Sequence, residues 1–540
     1  MSEAIAAGQP KGILGWIERT GNRLPDPVFL FFWLIAGLMV VSVLASAMGW
    51  SALHPTEIDE ATGETTVITA TSLLSAENIR RLWVEMPTTF THFHPLGYVL
   101  VVMLGAGVAE RAGLFGTAMR AGVRRAPVAL LTPIVALVGM MGNLAADAAY
   151  VVLIPLAGII FHAAGRHPVA GIAASFAGVS GGFSANLLPG QLDALLFGIT
   201  EAAVETVFGD FTANIAGNWY FIMAMTFLFL PVIWFVTDRI IEPRLGTWNP
   251  AQSGGDLALA DPADGDRPLT EGERKGLRWS GLAVLFVIAL WSLFVFGPGT
   301  PLVDTEATPE ARLTPFYQSL VAGFFLLFLL AGWAYGKAAG TITDHRSLVK
   351  MMADSMGDMA YYLVLAFAAA HFVAMFAWSN LGLIMAVEGA DVLRASGLPM
   401  WALLVAIMLF SALLNLFVGS ASAKWALLAP VLVPMLMLLG VTPEMATAAY
   451  RVGDSATNII TPLMVYFPLI LIFCQRWQKD FGLGSLAATM LPYSIGLMIA
   501  GLLMVGAWVA LDLPLGPGAS VFMEVPAPAA TTAAVPTPAN

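Results

Sequence analysis

The stretch Asn415-Leu416-Phe417-Val418-Gly419-Ser420-Ala421-Ser422-Ala423-Lys424 interrupts an apolar run, 400–439, that is nearly twice the length of a membrane span. A second run, 127–164, is cut in the same way by Gly139-Met140-Met141-Gly142-Asn143-Leu144-Ala145-Ala146-Asp147. Small and polar residues facing lipid would leave backbone groups unsatisfied. They are tolerated where the backbone is buried in protein or lines a watery cavity. Each arm beside a cut is about 15–18 residues, shorter than the roughly 20 a full span needs. Both runs therefore read as re-entrant hairpins, against the alternative of two full spans joined by a short outer turn.

Nine further segments have spanning length and composition: 28–49, 94–110, 168–197, 219–237, 279–297, 315–333, 358–385, 443–474 and 485–512. The whole chain agrees with this reading. Of its 540 residues 58% are hydrophobic and only 11% charged, with a net charge of −11. A soluble domain carries roughly 25% charged residues. The fold class is an all-α polytopic membrane protein, with nine transmembrane helices and two re-entrant hairpins. Its parts are a cytoplasmic N-terminus (1–27), a first half (28–244), a Gly-, Pro- and Asp-rich cytoplasmic linker (245–278), a second half (279–512) and a Pro/Ala tail (513–540) that reads as disordered.

Lys and Arg set the orientation. With the N-terminus inside, 19 of the 25 fall in cytoplasmic segments and four (Arg80, Arg81, Arg312 and Arg394) in outer ones. Lys424 and Arg451 remain, both inside apolar stretches. This layout leaves the C-terminus outside, with the lipid bilayer as the chain's surroundings. No cleavable leader is expected, because residues 1–27 hold no apolar run of the required length. The acidic balance argues against a nucleic-acid partner. One cysteine, Cys474, excludes an internal disulfide and a cysteine-rich metal site. No phosphate-binding loop of the G-x-x-x-x-G-K-[ST] type indicates an ATP-driven pump, and no H-E-x-x-H or S-x-x-K motif indicates a hydrolase.

The two hairpins form an internal repeat. Asp147 and Ser422, Tyr150 and Trp425, Pro155 and Pro430, Pro168 and Pro443, and Gly178 and Gly453 are each 275 residues apart. The spacing then slips, so that Asn186 corresponds to Asn458 and Pro189 to Pro462. One hairpin enters from the cytoplasm after Arg124 and Arg125 and the other from outside after Arg394, so the repeats are inverted. Inverted repeats with broken helices are a feature of secondary transporters, whose site lies at the repeat interface near the midplane.

Charges at membrane depth are costly and functional by default. The densest group is Arg451-Val452-Gly453-Asp454-Ser455-Ala456-Thr457-Asn458-Ile459-Ile460-Thr461-Pro462. Asp454, Asn458 and unwound carbonyls form an oxygen cage suited to Na⁺, or Asp454 carries a proton. Arg451 offers a donor fork to a substrate carboxylate; the competing reading is a structural Arg451–Asp454 ion pair. Trp425 can stack on an aromatic ligand or simply pack. In the first half Asn143, Asp147 and Asn186 are the counterparts, while Asp193 lies either at midplane or at the outer end of its helix. His371, in an apolar run, reads as a packed core histidine.

The run Gly419–Trp425, followed by Arg451–Pro462, resembles the AbgT family of p-aminobenzoyl-glutamate transporters, with greatest likeness to its YdaH- and MtrF-type members. The resemblance spans nearly the whole chain and is most specific over 415–468. It implies a homodimer, movement of p-aminobenzoyl-glutamate and efflux of sulfonamide drugs. It further implies site roles for Asp193, Asn415, Ser422, Trp425, Arg451, Asp454 and Pro462, with Asn415 and Asp454 as Na⁺ ligands. No cofactor is expected beyond Na⁺ or H⁺ as coupling ion, and no enzyme activity. The competing functions are a dicarboxylate symporter of the wider ion-transporter superfamily, an ion channel and an intramembrane hydrolase.

Overall fold

The computed structural model describes residues 26–58, 65–124, 127–145, 148–205, 215–249, 268–306, 312–461, 464 and 466–524. The N-terminal segment to residue 25, the linker over 250–267 and the tail from 525 lie outside the described residues, as do Asp147 and Pro462.

Among the described residues six helices are long and apolar enough to cross a membrane: Val28–Met48, Trp219–Leu245, Glu271–Phe296, Leu320–Ala339, Ala360–Trp378 and Leu483–Leu511. A seventh candidate is a bent pair, Leu96–Arg111 and Leu114–Gly122, meeting at 62°. Gly113 at the bend has φ +90°, a left-handed conformation that costs glycine nothing. The helix Leu114–Arg124 thus occupies most of what reads in sequence as a cytoplasmic connection.

The two interrupted runs each fold as a pair of short helices. The first pair is Leu131–Gly142 and Ala148–Ala163; the second is Met400–Asn415 and Ala421–Met437. At 1.5 Å per residue even a 17-residue helix reaches only about 25 Å, short of a hydrocarbon core of about 30 Å. The segments 168–197 and 443–474 are not continuous helices. Pro168–Phe176 continues as a π-turn, Ala177–Gly181, and resumes after a non-helical stretch at Gln191–Val204. Pro443–Thr457 stops, and Phe467–Trp477 follows.

One expected span is wrong in outline. The segment 358–385 is not one helix: Ala360–Trp378 ends, and Leu381–Ala395 begins a new one. Asn380 turns the chain at φ 60°, and its side-chain amide donates to the Thr69 carbonyl at 2.9 Å. Asparagine tolerates the left-handed region better than other side chains, but amid apolar neighbours it gives little outward sign of a turn. The segment after residue 50 contains an antiparallel hairpin, Ser51–Ile58 with Thr65–Thr69, and two short helices, Ala76–Val84 and Met86–Thr91.

Equivalent residues of the two halves make equivalent contacts. A Cβ added at Gly178 would lie 2.5 Å from the Ala136 carbonyl oxygen, and one at Gly453 would overlap the Met408 carbonyl oxygen. In each half the glycine lets a broken helix rest directly on the first arm of its own hairpin. Asn143 donates to the Gly182 carbonyl at 3.3 Å, and Asn415 donates to the Asp454 carbonyl at 2.8 Å. Both asparagines end a first arm and pin it to a helix break. The larger of two apolar cores unites both hairpins and both broken helices, and the smaller packs the helices His94–Arg111 and Leu320–Ala339 together.

Candidate functional site

Every residue of the helix Pro443–Thr457 is buried. A helix buried all round must either be apolar or pair its polar groups. This one carries Glu444, Arg451 and Asp454, and it pairs the last two, though not with each other. Arg451 donates to the Asp193 carboxylate at 2.6 Å, across 258 residues of sequence. Asp454 forms an ion pair with Lys424. The Arg451–Asp454 pair considered from their spacing does not form. The two pairs bring together two positive and two negative charges, and Glu444, near the start of the same helix, is buried as well.

Asp193 lies in the first turn of Gln191–Val204, on the side of the helix break, and is 7% exposed. Its second oxygen accepts the Gly190 backbone N–H at 2.7 Å. The carboxylate thus lies at the break end of its helix, buried in protein. Arg451 Nε is buried and has no hydrogen-bond partner among the described residues. It borders a cavity of about 20 Å³, room for about one water. Asp193, Thr200, Asn218, Glu444 and Thr447 also line that space.

The tip of the second hairpin closes against the same helix. Ser420 caps Ala421–Met437, and Ser422 lies 3.3 Å from it. One turn on, the Lys424 ammonium donates to Asn415 Oδ1 as well as contacting Asp454, and is 1% exposed. Beyond this ion pair neither carboxylate oxygen of Asp454 accepts a hydrogen bond among the described residues. The Asn415 amide nitrogen bonds to the Asp454 carbonyl, Thr457 Oγ1 at 3.0 Å and Asn458 Oδ1 at 2.8 Å. Three acceptors fix that amide, so its oxygen faces the ammonium. Trp425 is fully buried, stacks on Tyr450 at 4.5 Å, and donates to Thr200 Oγ1 at 2.9 Å. Thr200 in turn meets Thr447 at 3.1 Å.

The first half approaches from the other side. The Ser184 N–H donates to Ser455 Oγ at 3.0 Å, joining the two breaks. Asn186 donates to the Met140 carbonyl at 3.3 Å, and Asn143 Oδ1 is buried without a partner among the described residues. His371 is buried on Phe367, with Nδ1 2.7 Å from the Phe367 carbonyl oxygen. Asp193, Asn415, Ser422, Trp425, Arg451, Asp454 and Asn458 thus gather around one helix end. Lys424, Thr200, Thr447 and Tyr450 belong to the same group and are not evident as partners in the sequence. Lys424 does give a signal, since a lysine at membrane depth requires a counter-ion. The two threonines and Tyr450 carry no charge and give none.

A second polar cluster lies where the first hairpin meets its broken helix. Arg166 donates to Glu242, to Asp238 at 2.6 Å and to Thr132 at 2.8 Å, and lies over the Phe161 ring. Burial alone would lower its pKa, but the Glu242 and Asp238 carboxylates outweigh that and raise it. Neighbouring His167 caps Pro168–Phe176 by accepting the Val169 N–H at Nδ1, 3.2 Å away, and burial lowers its pKa.

The model of the AbgT putative transporter family matches residues 12–523. The p-aminobenzoyl-glutamate transport protein of Escherichia coli (strain K12) is 37% identical over 518 residues, covering 96% of this chain and 98% of that protein. The YdaH transporter of Alcanivorax borkumensis superposes with a TM-score of 0.82 at 42% identity, over 91% of this chain and 100% of that one. MtrF of Neisseria gonorrhoeae, from a class of antimetabolite efflux pumps, superposes with a TM-score of 0.85 at 41% identity, over 94% of this chain and 99% of that one.

Proposed function

Because the chain belongs to the AbgT transporter family, we propose that it is an ion-coupled secondary transporter of p-aminobenzoyl-glutamate and of sulfonamide antimetabolites. The observation that carries this reading is the buried Arg451, which borders a cavity between the two halves and whose Nε has no partner among the described residues. A guanidinium held there by one carboxylate is suited to exchange it for another. The glutamate carboxylate of the substrate takes the place of Asp193 when the halves separate. The cavity holds about one water, so substrate enters only when the two halves move apart to widen it. Trp425, released from Tyr450, then offers its indole to the aromatic amine, with Ser422 beside it. Pro462 follows the same segment in sequence and lies outside the described residues.

The coupling ion, Na⁺ or H⁺, belongs to the cage of Asn415, Asp454 and Asn458, with Asn143, Asp147 and Asn186 as first-half counterparts. The membrane layout is nine crossings and two inverted re-entrant hairpins in a bacterial inner membrane. The N-terminus is inside and the C-terminus outside, and two copies form a dimer. Broken helices and arms too short to span support this layout.

One observation favours a second reading. Tyr450 already covers one face of Trp425, as befits a carboxylate carrier that needs no aromatic platform. Labelled p-aminobenzoyl-glutamate in cells, followed over time with and without a Na⁺ gradient against an Asp454→Ala control, tests the proposal. Accumulation or depletion relative to the control supports it. Identical time courses refute it, and uptake of simple dicarboxylates by a Trp425→Ala variant would favour the second reading.

A further inference from the structure

The Lys424 ammonium sits between Asn415 Oδ1 and the Asp454 carboxylate. These are two of the oxygen donors assigned above to the coupling cation, and this inference rests on that assignment. We propose that Lys424 is a tethered cation that occupies the coupling-ion cage and sets its ion preference, so that Na⁺ binds only when the ammonium swings out.

Three observations carry this. The ammonium and Na⁺ are both monovalent cations that seek oxygen donors, and Asp454 supplies only one negative charge. The cage is closed, with Lys424, Asn415 and Asp454 each no more than 1% exposed. Two positive ions side by side there would repel strongly, with little water to screen them. The remaining donors of the cage are fixed independently of the lysine, because the Asn415 amide nitrogen is held by Asp454, Thr457 and Asn458. The cage therefore keeps its shape when the ammonium leaves. Lys424 itself hangs on a flexible four-carbon stem, one turn into the helix that begins at the hairpin tip, so movement of the tip carries the ammonium with it.

The test uses purified full-length protein in detergent, with binding of radiolabelled Na⁺ and thermal melts in NaCl against choline chloride at equal ionic strength. Lys424→Met should bind Na⁺ at least tenfold more tightly than the wild type. Its melting point should rise with Na⁺ while that of the wild type does not, because a ligand that binds only the folded state stabilises it. Lys424→Met/Asp454→Asn, with the carboxylate neutralised as well, should lose both responses. Equal Na⁺ affinity in wild type and Lys424→Met overturns the proposal. So does failure of Lys424→Met to fold in either salt, since Na⁺ must be able to replace the ammonium. Neither readout involves the organic substrate. A protein that binds Na⁺ as described but moves no p-aminobenzoyl-glutamate would retain this inference and lose the transport reading.

Discussion

Replacing Asp193 by Asn removes one partner of a buried ion pair while keeping the shape of the other. The carboxamide oxygen still accepts the Gly190 N–H that Asp193 accepts at 2.7 Å, so the helix start is preserved. Arg451 is left with an uncompensated charge at 3% side-chain exposure. Breaking a buried pair in this way costs about 3–5 kcal/mol. The adjoining cavity can hydrate the guanidinium with about one water, which puts the cost near the lower end, about 3 kcal/mol. Arg451→Gln should cost a similar amount, because Asp193 is then the orphan. The double variant Asp193→Asn/Arg451→Gln buries no net charge and should be destabilised by less than the sum of the singles, with a coupling of about 2 kcal/mol. Unfolding free energies of the four proteins in mixed micelles complete the cycle. Additivity within about 0.5 kcal/mol would show that the two groups do not interact and would remove the basis for carboxylate exchange at Arg451.

Gly453→Ala forces a methyl group into the Met408 carbonyl, and should cost about 1–3 kcal/mol by overpacking, visible as a lowered melting point. Gly178→Ala, against Ala136, should behave alike; a neutral effect at both would refute the close packing of the breaks on the hairpin arms. Trp425→Phe keeps a ring against Tyr450 and loses the bond to Thr200. Because Thr200 still meets Thr447, the bond's loss should cost about 1 kcal/mol, against about 3–5 kcal/mol for Trp425→Ala. Equal melting points for the two variants would contradict the packing described. Burial holds the His167 pKa below its usual value near 6.5. The unfolded chain therefore takes up the proton first as pH falls, and stability should decline from about pH 6.5 downward. His167→Asn, which can still cap, should flatten that decline in melts between pH 7.5 and 5.5, and an unchanged slope would sink the assignment.

The hairpins were legible because Asn, Gly, Ser and Lys interrupt otherwise apolar runs, and such interruptions have few physical explanations in a bilayer. The residues around Arg451 and Asp454 were legible because charge at membrane depth is rare. Their pairing was not. A spacing of three along a helix brings Arg451 and Asp454 to neighbouring faces, yet their partners, Asp193 and Lys424, come from other elements that only the tertiary fold brings near. The turn at Asn380 was hidden because its left-handed conformation is stabilised by a bond to Thr69, 311 residues earlier in the chain. The Thr200–Thr447 link below Trp425 was hidden because threonine is unremarked among apolar neighbours and its role depends on what faces it.

Flux of labelled p-aminobenzoyl-glutamate into proteoliposomes, with wild type compared to Arg451→Lys, tests the central claim most directly. Lysine keeps the charge and loses the planar fork. The account predicts saturable flux by the wild type, inhibited by sulfonamides, and at least a tenfold loss of kcat/KM in Arg451→Lys with the protein still folded. Equal flux by the two proteins, or no saturable flux by the wild type under either a Na⁺ or a proton gradient, would contradict it.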